Sequence, residues 1–272
     1  MVLDDEKGGR KALMVPDMKD SGRPTRILIL NGSPHRAAST TMLATNALVQ
    51  GMMACGKYEA ETIHISDLRI TPCTGCLSCW GRTEGECVIR NDDIPWVKQK
   101  IEASDLLIGS FPLYFFGMPG QMKVMMDRLL SMVGAYHGQL TPRDSSPAHA
   151  FRSPVASRKF LVVSGCAYTE TDVVYDPICR QLDLVCGKGN YTAVLCPQFK
   201  TMIDNGGARK ERILSRFVSA GEEYARTGTL SPETIRTITK PPFSPEVYST
   251  ILENVWEKER ERGKKANDSA GR

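Results

Sequence analysis

Ile27-Leu28-Ile29-Leu30-Asn31-Gly32-Ser33-Pro34 is the stretch on which the fold turns. Four consecutive apolar residues without alternation read as a short strand buried on both faces, the habit of parallel sheets covered by helices. Asn31 to Pro34 then stops that strand in a sharp loop. From Thr40 to Cys55 the pattern turns helical, with Leu43, Ala47, Leu48 and Met52 on one side. The same strand, loop and helix recur downstream. A second strand fits Glu59 to Ile65, where Ala60, Thr62 and His64 alternate with their neighbours. A third, Asp105 to Phe111, is apolar on both faces and runs into Pro112 to Pro119. The next helix carries Met122, Met125, Met126, Leu129, Leu130 and Val133. Phe160 to Ser164 makes a fourth strand ending at Gly165. Asp176-Pro177 supplies an N-cap and first-turn proline for a helix with Ile178, Leu182 and Val185 inward, stopped by Gly187. Tyr191 to Leu195 reads as a fifth strand, and Ala208 to Tyr224 as a helix with Ile213, Phe217, Ala220 and Tyr224 at helical spacing. This alternation predicts an α/β doubly wound sheet of five parallel strands in the order 2-1-3-4-5.

Both ends read differently, so the expected organisation is an N-terminal arm over residues 1–24, one α/β domain over 25–227, and a C-terminal extension over 228–272. Ser231-Pro232-Glu233 and Ser244-Pro245-Glu246 each resemble a helix start, which predicts two short helices, and the charged stretch from Lys258 to Arg272 is expected to fray into solvent. At 272 residues the chain can bury a sizeable core. A net charge of +4, without a basic stripe interleaved with aromatics, argues against nucleic acid as a partner. The polar start, Met1 to Gly22, shows no apolar export signal, and no segment has the apolar length of a membrane span. Nine cysteines in such a chain point to a reducing compartment, and the expectation is a cytoplasmic protein.

In a doubly wound sheet, ligands bind beyond the carboxyl ends of the strands where the strand order reverses, here between strands one and three. The loop after strand one offers Gly32 for close backbone approach, hydroxyls at Ser33, Ser39 and Thr40, the imidazole of His35, the guanidinium of Arg36, and a helix N-terminus. Those features suit a phosphate. Neither the dinucleotide glycine pattern nor the Walker lysine is present. The loop after strand three, Pro112, Leu113, Tyr114, Phe115, Phe116 and Gly117, puts aromatic surface and a tight turn where a planar ring could lie. Phe116 is read as a core or subunit-contact residue.

With both loops in order on the correct strands, the chain resembles the NADPH-dependent FMN reductase-like branch of the flavodoxin-fold superfamily. The resemblance is carried by Asn31 to Pro34, Arg36, Ser39, Thr40, Pro112 to Phe115, Gly117 to Lys123 and Asp127-Arg128, and it spans about residues 24 to 225. It implies that Ser33, Arg36, Ser39 and Thr40 hold an FMN phosphate, that Pro112 to Gly117 hold the isoalloxazine, and that Gly165 closes the site. It also implies NAD(P)H as electron donor, a small-molecule or protein acceptor, and a homodimer or tetramer. No catalytic side chain is nominated, because the flavin carries the redox step.

A second feature lies before the next helix: Cys73, Cys76, Cys79 and Cys87, spaced C-x2-C-x2-C-x7-C. Three thiolates within seven residues can wrap one face of a cubane and a fourth can close it, whereas zinc more often uses two separated pairs. The layout is similar to that of the iron–sulfur flavoproteins, which implies a [4Fe–4S] cluster; four reduced thiols lining a loop near the flavin are the alternative. Cys55, Cys166, Cys179, Cys186 and Cys196 read as small buried hydrophobes, with Cys166 able to approach the flavin. His64 reads as structural. His137 and His149 fall in an irregular stretch, 134–154, that would suit a lid or a subunit contact. Three functions follow: an NAD(P)H-consuming FMN oxidoreductase, an electron-transferring iron–sulfur flavoprotein, and a flavin-binding redox sensor without turnover.

Overall fold

The computed structural model describes residues 23–135, 149–152, 158–204 and 207–270. The N-terminal arm before Arg23, with His137 and most of the irregular stretch around it, lies outside the described residues. Strand β1 (Thr25–Asn31) lies between β2 (Tyr58–His64) and β3 (Leu106–Pro112), followed by β4 (Lys159–Gly165) and β5 (Tyr191–Cys196). All pairs are parallel and the order is β2-β1-β3-β4-β5, as the sequence predicts.

The apolar run of β1 is divided by the pleat between two cores. Ile27 and Ile29 face a layer built from α1 (Thr40–Cys55), α5 (Phe199–Asp204) and α6 (Gly207–Thr227). Leu28 and Leu30 face α2 (Ile94–Ala103), α3 (Gly120–Arg128) and α4 (Asp172–Cys186). β2 does not alternate as expected: Glu59 to Thr62 are exposed and Ile63 is its buried residue, because it is the edge strand of the sheet.

α4 begins at Asp172 rather than Asp176, so Pro177 lies inside the helix. The early turn is held because Tyr175 is buried and its hydroxyl donates to Ser164 Oγ (3.0 Å). The carbonyl that Pro177 leaves without a helical partner belongs to Val173, which is 85% exposed and open to water. The C-terminal extension forms α7 (Pro232–Ile238) and α8 (Pro245–Ala270). Ser231 caps α7 by accepting from the Thr234 amide (3.2 Å). α8, at 26 residues, is not short, and the charged stretch expected to fray continues as helix to Ala270. Pairs such as Arg262–Glu259 sustain it, and Lys258 to Lys264 are exposed.

α1 and α6 meet backbone to backbone. A Cβ on Gly51 would lie 1.9 Å from the Val218 carbonyl oxygen, and one on Gly221 would lie 1.9 Å from that of Leu48. Gly51→Ala or Gly221→Ala is expected to cost about 3 kcal/mol in urea unfolding, since the helices must part to admit a methyl group. An unchanged midpoint would show that the helices are not so closely packed.

Asp105, at the start of β3, accepts from Arg23 (2.6 and 2.8 Å) and from the Arg26 amide (2.9 Å). The Arg23 hydrogen bonds hold its carboxyl down to about 2. A depressed carboxylate pKa stabilises above the unfolded value near 3.9 and is lost as pH falls toward 2. Arg23 is half exposed, so solvent screens the pairing and keeps its contribution small. Asp105→Asn is expected to flatten the acid limb of a stability–pH profile in that window; an unaltered limb would show the pairing to be dispensable.

Candidate functional site

The crevice at the switch point lies beyond the carboxyl ends of β1 and β3. Asn31 ends β1 and organises the loop that follows. Its Oδ1 accepts from the Ser33 amide (2.9 Å), and its Nδ2 donates to the Arg36 carbonyl (3.0 Å) and lies 2.9 Å from His64 Nδ1. His64 is thus a partnered structural residue, as read from the sequence. The Ser33 carbonyl accepts from the Arg36 amide (3.1 Å), and Arg36 takes a left-handed φ of 51° to turn the chain into α1. A side chain at Gly32 would meet Met122 Sδ at 2.8 Å and Phe111 Cβ at 3.2 Å, so the loop is pressed against α3 and β3.

Ser33 and Ser39 are buried, Thr40 is half-buried, and His35 and Arg36 are exposed. Ser39 is the N-cap of α1, yet its hydroxyl makes no cap hydrogen bond; it lies 2.7 Å from Thr41 Oγ1. Thr45 donates to Ser110 Oγ (2.9 Å), tying the base of α1 to β3. The first-turn amides of α1 therefore have no side-chain cap, and they carry the positive end of a 16-residue helix. The Arg36 guanidinium is ion-paired to Asp67 rather than turned into this nest.

The loop after β3 is a two-residue hairpin. Tyr114 and Gly117 exchange backbone hydrogen bonds (3.0 and 2.9 Å), and Phe115 and Phe116 between them have φ of 48° and 61°. Left-handed conformations at two adjacent bulky residues are costly, and such strain concentrates at functional sites. Its result is to present aromatic surface: Phe115 is 99% exposed, and Phe116 stacks on Tyr168 (5.7 Å between centroids). Sequence reasoning gives no role to Tyr168 or to the Asn31 side chain, although an Asn closing a strand before Gly is a recognisable loop organiser. The Gly165 carbonyl accepts from the Leu113 amide (2.9 Å) and anchors the hairpin; a side chain there would strike Phe199 (2.4 Å). Phe116 is part of this exposed surface and not of the core. These residues fit a group with one phosphate and a flat ring.

Cys73, Cys76, Cys79 and Cys87 line one small cavity with Asp127 and Arg128 at the end of α3 and Leu130 just beyond it. Cys73 and Cys76 are exposed, Cys87 is half-buried and Cys79 is buried. Ser78, through its hydroxyl and amide, holds the Cys76 thiol below its ordinary pKa, while burial pushes Cys79 up. Among the described residues, no three His, Cys, Asp or Glu side chains are placed to share a single ion. That placement disfavours zinc, whose four ligands converge at about 2.3 Å for sulfur, more than a cubane, which gives each thiolate its own iron.

The loop is gripped from outside. Lys98 and Arg128, the only lysine and arginine buried as whole residues among the described ones, both bind it. Lys98 Nζ donates to the Gly85 carbonyl (2.7 Å) and to Glu86 (3.2 Å). Arg128 donates to the carbonyls of Thr71 (2.6 Å) and Ile89 (2.8 Å) and pairs with Asp92 (2.5 Å). Burial pulls the Arg128 pKa down, but Asp92 and the nearby Cys87 sulfur outweigh it, so the guanidinium stays charged. Trp80 Nε1 donates to the Val133 carbonyl (3.1 Å), and a bridge between Val133 and Phe151 closes the base of the irregular stretch. His149 packs 4.7 Å from the Trp80 ring. Cys166, Cys186 and Cys196 are buried and Cys179 is half-buried, as expected, but Cys55 is exposed.

Residues 25–144 match the model of the NADPH-dependent FMN reductase family. An iron-sulfur flavoprotein of Archaeoglobus fulgidus is 34% identical over 115 residues, 40% of this chain and 50% of that protein. One from Methanocaldococcus jannaschii is 36% identical over 103 residues, 38% and 51% of the two. The chain thus spans about half the length of these relatives. Among solved structures, an NAD(P)H:quinone oxidoreductase from Methanothermobacter marburgensis superposes with a TM-score of 0.54 at 18% identity, covering 73% of this chain and 98% of that one. An FMN-dependent NADH-azoreductase from Bacillus anthracis, in complex with FMN, gives 0.53 at 13% identity over 74% and 99%. At these identities the likeness is one of fold. No described helix is long and apolar enough to cross a membrane.

Proposed function

We propose, from the match of residues 25–144 to the model of the NADPH-dependent FMN reductase family, that the chain binds FMN at the switch point and passes electrons from NAD(P)H to a small-molecule or protein acceptor. The observation that carries this reading is the uncapped N-terminus of α1 beside the strained aromatic hairpin. Bound there, FMN would supply the redox chemistry itself. The α1 amides and the buried Ser33 and Ser39 hold the phosphate; the hairpin backbone from Pro112 to Gly117 and the faces of Tyr114 and Phe115 hold the ring and exclude water. Phe115, almost fully exposed in one chain, suits cover by substrate or by a second subunit of a dimer or tetramer. The chain acts in the cytoplasm on this reading.

Cofactor released by heat is expected to run as FMN on chromatography, and NADPH is expected to bleach the bound flavin anaerobically. Recovery of FAD, or of no flavin, would sink the reading. Arg36→Ala is expected to weaken FMN binding by about tenfold, the value of one charge-assisted hydrogen bond formed when Arg36 exchanges Asp67 for phosphate. Equal affinity in a flavin titration would leave Arg36 with Asp67 alone.

The cysteine cavity supports a second reading, in which the loop also holds a [4Fe–4S] cluster. It is favoured by four thiols converging on one cavity and by relatives that are iron-sulfur flavoproteins. The cluster would supply one-electron transfer. Iron and sulfide assays on protein purified without oxygen decide it.

A further inference from the structure

Arg128 has five N–H donors, and its side chain is 0% exposed. Nη1 donates to the Thr71 carbonyl (2.6 Å) and Asp92 Oδ2 (2.5 Å); Nη2 donates to the Ile89 carbonyl (2.8 Å) and contacts Asp92 Oδ1 (3.4 Å). Four donors are thus accounted for. The fifth, Nε, is buried and has no oxygen or nitrogen partner, and the Cys87 sulfur is the group that lies beside the guanidinium. A buried charged donor left empty is costly, so native proteins seldom keep one without an acceptor. The same side chain lines the cavity formed by the four cysteines.

Its other bonds explain why it sits there. Thr71 stands two residues before Cys73 and Ile89 two residues after Cys87, so one guanidinium clasps both ends of the cysteine loop. Asp92 completes the clasp by accepting from the Thr71 amide (3.0 Å).

We propose that Arg128 is a positioning residue for the cysteine-bound iron–sulfur cluster: it closes the neck of the loop through Nη1 and Nη2 and donates through Nε to a sulfur of the cluster or of its ligand thiolates. This rests on the cluster reading above. A donor to sulfur stabilises the more negative, reduced form and raises the potential. Arg128→Lys keeps the charge and one clasp but has no Nε donor, so it lowers the midpoint potential by about 59 mV, which corresponds to a tenfold change for a one-electron couple.

The test uses full-length protein reconstituted without oxygen. In wild-type protein labelled with 15N-arginine, pulsed electron paramagnetic resonance of the reduced cluster shows a nitrogen coupling, and Arg128→Lys abolishes it while lowering the midpoint. A loaded wild-type cluster without nitrogen coupling overturns the proposal, as does a loaded Arg128→Lys protein with an unchanged midpoint. If Arg128→Lys holds no cluster, the labelled wild-type spectrum alone decides. Wild-type protein without iron and sulfide after reconstitution rejects the cluster reading itself, and that result is distinct from a loaded protein lacking the coupling.

Discussion

Replacing any one of Cys73, Cys76, Cys79 or Cys87 by alanine is expected to remove nearly all the iron and sulfide from the protein while FMN stays bound. The four act together because each thiolate caps one iron, and losing one exposes an iron that solvent strips. Exposure makes this acute here, since Cys73 and Cys76 are open to water. The flavin should be indifferent, because its proposed phosphate and ring contacts come from the loops after β1 and β3. Cys166→Ala and Cys179→Ala serve as controls. They pack in the core between the sheet and α4, and their loss should cost about 1 kcal/mol of stability and no iron. Iron and sulfide per chain, with the broad cluster absorbance, are the measurements. A variant of the four that keeps its full iron is not a ligand. Wild-type protein that never takes up iron would leave the loop as a thiol-rich wall, with the NADPH-dependent FMN reading standing alone.

The fold was legible because its signals are local. A four-residue apolar run, a loop and a helix from Thr40 to Cys55 are all written in consecutive residues, and the helix bounds agree with the structure. Where a neighbour decides, the sequence misleads. The alternation in β2 says nothing about which side a helix will cover. Pro177 reads as a helix start until Tyr175 is seen anchored to Ser164. The residues singled out around the phosphate loop do gather at one place, except that Arg36 is drawn away to Asp67, a partner 31 residues distant. The grip on the cysteine loop was invisible for the same reason. Arg128 lies 57 residues from Thr71 in sequence, and Asp127-Arg128 enters the reading only as part of the family pattern, with no partner assigned to it. The hairpin after β3 hid differently: left-handed turns are announced by Gly or Asn, and here two phenylalanines occupy those positions.

Ser39→Asp is expected to separate the stability of the protein from its affinity for FMN, moving the two in opposite directions. Aspartate is as good an N-cap as serine and, unlike Ser39, whose hydroxyl pairs with Thr41 instead of an α1 amide, carries a charge that the α1 dipole favours. The flavin-free protein should therefore unfold at an equal or higher temperature. The same carboxylate would occupy the nest proposed for the phosphate. Two like charges about 4 Å apart at an effective dielectric constant of about 20 repel by about 4 kcal/mol, which is roughly a thousandfold in dissociation constant. Ser39→Asn provides the comparison, being equal in size and capping ability but neutral, so it should weaken binding about tenfold or less. The difference between Asp and Asn isolates charge from shape, and flavin fluorescence titration alongside thermal unfolding of the flavin-free proteins measures both. If Asp and Asn bind FMN equally, no phosphate sits at the start of α1, and the switch-point site must be redrawn around some other anion nest. If Asp loses FMN only because the protein unfolds, its melting temperature will have dropped, which the dipole argument forbids.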